Sequence, residues 1–87
     1  MILPNIIEIG IFNSKLTPTI GTISKDRKVD RFEIELPLEE GGIAYIDSNS
    51  FPISSNTIVA VKPNQIRHTK FPLKCYYVHL TLPKGQL

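Results

Sequence analysis

Nowhere along the 87 residues does an apolar pattern recur with the spacing of a helix face. Short runs rich in isoleucine, valine, threonine and tyrosine are cut instead by seven prolines and five glycines. Each run is long enough for a strand and each break carries turn residues, so the chain is expected to be all-β, a sandwich or barrel with a turn about every eight to twelve residues. The length suits one domain, and a domain this short buries only part of its surface. A content of 41% hydrophobic and 21% charged residues excludes a disordered chain.

Residues Ile6 to Phe12 read as a first strand and Thr19 to Ser24 as a second, separated by Asn13-Ser14 and Leu16-Thr17-Pro18. Asp26 and Asp30 interleave with Lys25, Arg27, Lys28 and Arg31, and the net charge is only +2. That run reads as a solvated turn, not a nucleic-acid patch. Phe32, Ile34, Leu36 and Leu38 then alternate with Glu33, Glu35 and Pro37. Period two assigns one face to the core and the other to water, which places the apolar set inside and Glu33 and Glu35 outside.

Ile43 to Ile46 is a strand and Asp47-Ser48-Asn49-Ser50 a hairpin turn. Phe51-Pro52-Ile53 is a short strand whose proline suits an edge. Thr57 to Val61 reads as a buried strand without alternation. Pro63-Asn64 fits a type II turn, because proline presets the second position and asparagine tolerates positive φ at the third. Lys74 to Leu82 is the last long strand.

The residues able to do chemistry are few. A catalytic metal usually needs three protein ligands, and the chain has two histidines, His68 and His79, with none near the Phe32 strand. No metal and no cofactor is expected. Cys75 would need a neighbouring base or cation to become a nucleophile. His79 lies four residues further along the same strand, about 13 Å away, so Cys75 reads as a packing residue and no enzymatic activity is expected. Cys75, Tyr77, His79 and Thr81 share one face of that strand, and Tyr76, Val78, Leu80 and Leu82 the other. The second face reads as packing. The first is either a solvated outer face or a surface that stacks on and hydrogen-bonds a small polar molecule. His68 is likewise either a turn residue bonded to nearby backbone or a polar group at a pocket mouth.

A lone cysteine forms no internal disulfide and fits a reducing, cytoplasmic setting. The start has no basic leader, and Pro4 and Glu8 interrupt its apolar run, so it reads as neither a signal peptide nor a membrane span. The end trails off just after a strand, and the chain is expected to be a piece of a longer protein.

Three stretches resemble the N-terminal cupin-like domain of AraC-type transcription regulators. They are the strand and glycine-bearing loop from Glu35 to Gly42, the hairpin from Ile46 to Ile53, and the strand, proline turn and histidine from Val59 to His68. The likeness runs from about Arg31 to Leu82. Asn56 and Asn64 stand where glycine is common in that family, and the metal-binding histidine pair of cupin enzymes is absent. The resemblance implies a single small cupin-like barrel (a double-stranded β-helix or jelly roll) that senses a small polar effector such as a sugar. It directs Cys75, Tyr77 and His79 toward the pocket, with His68 nearer the rim. It further implies a homodimer, with dimerisation helices and a DNA-binding helix-turn-helix domain following this segment in the intact regulator. The competing readings are a cupin enzyme, either a sugar isomerase or an oxygenase, and a dimerisation module with a filled interior.

Overall fold

The pairing of strands follows one rule: first with last, second with second-to-last, and so on inward. The computed structural model of the chain describes residues 3–16 and 21–83. Its strands are β1 (Asn5–Asn13), β2 (Arg27–Lys28), β3 (Phe32–Pro37), β4 (Ile43–Ile46), β5 (Asn49–Pro52), β6 (Val59–Val61), β7 (Ile66–Lys70) and β8 (Lys74–Thr81). β4 pairs with β5, β3 with β6, β2 with β7 and β1 with β8, all antiparallel. The chain is thus one long ribbon doubled at the β4–β5 turn, where Asp47 takes a φ of 52°. Two lateral contacts, β3 with β8 and β4 with β7, join the ribbon's segments into sheets. The result is two antiparallel sheets, β1-β8-β3-β6 and β2-β7-β4-β5, an architecture compatible with a β-sandwich.

Several expected elements are in place. Ile43–Ile46 is a strand, Asn64 has a φ of 75° in the turn after Pro63, and the proline-bearing β5 lies at a sheet edge. Other expectations need correction. Gly21 to Ser24 contributes an isolated bridge at Ile23 instead of a strand, and 19–20 lie outside the described residues. The charged run is not merely a solvated turn: Arg27–Lys28 is β2, and Val29 is buried, with its N–H donating to the Gln65 carbonyl. β6 alternates, with Ala60 exposed between buried Val59 and Val61.

The largest correction concerns β3. Glu33, Glu35 and Pro37 point inward, and Leu36 is exposed. The register carries this inversion across the whole first sheet. On its inner face Glu8 lies level with His79, Glu33 and Val61; Gly10 with Tyr77, Glu35 and Val59; and Phe12 with Cys75 and Pro37. Its outer face has the rows Ile6–Leu80–Phe32, Ile9–Val78–Ile34–Ala60 and Ile11–Tyr76–Leu36, with no charged side chain among them and the Tyr76 hydroxyl as their one polar side-chain group. Period two was legible; which face turns inward depended on what the second sheet presents, and it presents Arg67.

The interior is therefore graded. At the β6 and β4 side, Ala44, Ile46, Ile53, Val59 and Val61 join Val29, Leu73 and Cys75 in a dry core. Toward β1 and β8 the interior becomes charged. The sandwich gapes there because nine-residue β1 is matched in the second sheet by two-residue β2.

Candidate functional site

That gap is a cleft of about 470 Å³. Glu8, Tyr77 and His79 come to it from the first sheet, Arg27, Arg67, His68 and Thr69 from the second, with Glu35 also on the lining. Phe12, Phe71 and Leu73 form an apolar part, where the two phenylalanine rings tilt against each other at 5.9 Å. Concave, partly apolar clefts with a few converging polar groups are the usual form of small-molecule sites.

The polar part is built on a ladder of ion pairs. Arg67, 5% exposed, donates from one nitrogen to Glu33 at 3.0 Å and from the other to Glu35 at 2.9 Å. Arg27 forks onto both oxygens of Glu33 at 2.7 and 2.6 Å. An arginine fork is planar and matches a carboxylate in just this way. A fully buried Glu33 (1% exposed) is tolerable only because it is paired. Burial acts to raise the Glu33 pKa, but the Arg27 hydrogen bonds, with the charges of Arg27, His79 and Arg67, outweigh it and hold the carboxyl below its ordinary 4.5. The same hydrogen bond raises the Arg27 guanidinium above its already high ordinary value. Both stay ionised at neutral pH.

Tyr77 lies across β1 at Gly10. A Cβ on residue 10 would fall inside the tyrosine ring, with its nearest atoms at 2.5–2.9 Å, so only glycine admits this arrangement. From there the Tyr77 hydroxyl donates to Glu8 Oε2 at 2.8 Å, and this bond to a carboxylate raises the tyrosine pKa above 10.0. The His79 ring tilts against Tyr77 with centroids 5.1 Å apart. Its Nδ1 is 3.9 Å from Glu8 and its Nε2 3.9 Å from Glu33. Both gaps are too long for hydrogen bonds. Among the described residues, the imidazole stands between two carboxylates and bonds to neither, with its side chain 19% exposed.

Of the residues singled out from sequence, Tyr77, His79 and His68 all reach this cleft, and Cys75 does not. His68 sits at the rim, stacked on Tyr45 at 4.3 Å with Nδ1 2.8 Å from Asp26. Its strand alternation turns the ring to the outer side, level with Tyr45. Cys75 is wholly buried in the apolar core. Burial, with the Glu35 charge second, pushes its thiol up to about 12, which leaves it a packing residue with little thiolate.

Sequence reasoning missed Arg67, Arg27, Glu35 and Glu8. The signal for Arg67 was present but inverted: in Ile66-Arg67-His68-Thr69-Lys70 the buried set is Arg67 and Thr69. The signal for Tyr77 was Gly10, a glycine inside a strand, which marks a close approach.

Among the described residues, no three of histidine, cysteine, aspartate and glutamate converge to hold a metal, and no helix is long and apolar enough to cross a membrane. Comparison with protein families, with characterised proteins and with solved structures finds no match to this chain.

Proposed function

We propose that the chain is a small-molecule-binding domain of jelly-roll, cupin-like type, and that its ligand is a neutral, polyhydroxylated compound with an apolar portion. Binding is noncovalent. The observation that carries this reading is the state of His79: Arg27 and Arg67 are hydrogen-bonded to Glu33 and Glu35, Tyr77 is bonded to Glu8, and among the described residues neither nitrogen of His79 has a hydrogen-bond partner. A ligand hydroxyl beside His79 can bond the ring and also donate to Glu8. The charges around the cleft balance, with Glu8, Glu33 and Glu35 against Lys25, Arg27 and Arg67. An ionic ligand aimed at Arg27, Arg67, Glu33 or Glu35 would have to break pairs that are already made, and a neutral polyol would not. Phe12, Phe71 and Leu73 offer the apolar portion its contact. The jelly-roll assignment is supported by the nested pairing and by the sheet orders β1-β8-β3-β6 and β2-β7-β4-β5.

Calorimetry with methyl and phenyl glycosides of the common pentoses and hexoses tests the binding reading. Wild type should bind at least one of them, and each phenyl glycoside should bind tighter than its methyl counterpart. His79→Ala and Tyr77→Ala should each weaken binding by about 1–3 kcal/mol, the value of a lost hydrogen-bond partner, with melting curves showing both variants folded. Normal binding by both variants would remove this cleft as the site.

A regulatory use of the binding, relayed to a helix-turn-helix domain in a longer protein, is supported by the resemblance of 31–82 to AraC-type sensing domains. An in-frame helix-turn-helix segment after Leu87 would be its most direct support.

A further inference from the structure

The outer face of the first sheet has no counterpart in the cleft's chemistry. Apart from the Tyr76 hydroxyl its three cross-strand rows are apolar, and the β1 contribution is nearly bare: Ile9 is 68% exposed, Ile11 64% and Ile6 51%. Tyr76 on β8 and Leu36 on β3 add 48% and 42%. These exposures and the half-buried residues between them amount to about 600–700 Å² of continuous apolar surface, above the roughly 300–600 Å² of the largest patch on a typical monomer. Every charged side chain that the register places in the sheet's interior rows, Glu8, Glu33 and Glu35, faces the other way.

We propose that this face is a homodimer interface, in which the outer faces of β1, β8 and β3 of two copies pack against each other. Three features favour a second copy over another occupant. Two such faces would bury about 1,300 Å² together, within the ~1,200–2,000 Å² of stable specific interfaces. The face has no charge with which to select a different partner, and its one polar side-chain group is the Tyr76 hydroxyl, so it can pack on a copy of itself about a two-fold axis. The net charge of +2 sets little repulsion against self-association. The arrangement has the composition of an interface as well: at one end of the apolar rows the register places Asn13 level with Lys74, a polar rim beside an apolar centre. Two sheets packed in this way lie about 10 Å apart, leaving both clefts open on the far sides.

The test is sedimentation velocity on the full chain from low to high micromolar concentration, with circular dichroism on every variant. Wild type should sediment at about twice its 9.8 kDa. Ile9→Lys and Tyr76→Lys, both at exposed positions, should keep a wild-type β spectrum and raise the dimer dissociation constant at least a hundredfold. Phe51→Lys, on the edge strand of the other sheet, should change it less than threefold. A wild-type chain that stays monomeric throughout overturns the proposal. So does an association that folded Ile9→Lys and Tyr76→Lys leave intact, since pairing must then run through another surface.

Discussion

Replacing Arg67 by methionine tests the ion-pair ladder most severely. Methionine preserves much of the side-chain volume and removes the guanidinium. Glu33 keeps its fork from Arg27, so the loss falls mainly on Glu35, 9% exposed and bonded to Arg67. Breaking a buried pair by removing one partner destabilises by about 3–5 kcal/mol. A chain of this size is expected to have only about 4–13 kcal/mol of stability, so Arg67→Met should lose a large share of it. Its melting temperature should fall by roughly 15–30 °C. The double variant Arg67→Met, Glu35→Gln removes the orphaned charge as well and should recover part of the loss, with a coupling of about 0.5–3 kcal/mol between the two sites. Urea denaturation followed by circular dichroism measures both quantities. A loss under about 1 kcal/mol for Arg67→Met, the value for an exposed pair, would mean that Arg67 does not lie between the carboxylates, and the reasoning fails.

Stability should fall in acid. The folded Glu33 pKa lies below its ordinary 4.5, so its contribution is present above that value and is lost as pH drops through the lower folded value; denaturation midpoints for wild type and Glu33→Gln should converge in that range. Cys75 should resist alkylation by iodoacetamide at pH 8 in the native chain and react readily in urea, because its thiol is held near 12; equal rates would place it outside the core. Glu8→Gln should bring the Tyr77 pKa back down toward 10.0 in an ultraviolet difference titration, and no change would show that the hydroxyl does not meet Glu8. Gly10→Val should displace the Tyr77 ring from β1 and lower stability by about 1–3 kcal/mol in thermal melts.

The sequence makes the strands legible and half of their orientation. β1, β4, β5 and β8 follow from β-branched content and from turns with the right residues. The division of β8 into two faces is also readable, because a row of Cys75, Tyr77 and His79 differs in kind from Tyr76, Val78 and Leu80. The reading of the second set as the packing face is corrected: it lies on the outer face, with Tyr76 48% exposed. The face of β3 is not readable from β3 alone. Alternation in Phe32 to Pro37 is compatible with either side inward, and hydrophobicity favours the wrong one. The outcome is decided by Arg67 and Arg27, on different strands, and by the register that sets Glu33 level with His79. The same pairing hides Arg67: a strand whose buried positions are Arg67 and Thr69 has no apolar signature to find. Charge complementarity across two sheets is a tertiary property, and no window of one strand contains it.

Nuclear magnetic resonance titration of the Glu33 side-chain carboxyl carbon separates these orientations directly. If β3 turns its glutamates inward between Arg27 and Arg67, Glu33 titrates below the ordinary value of 4.5 and does so as the fold is lost. A Glu33 that titrates reversibly at the ordinary value in the intact fold is a solvated surface carboxylate, and both the polar cleft and the apolar outer face would be wrong.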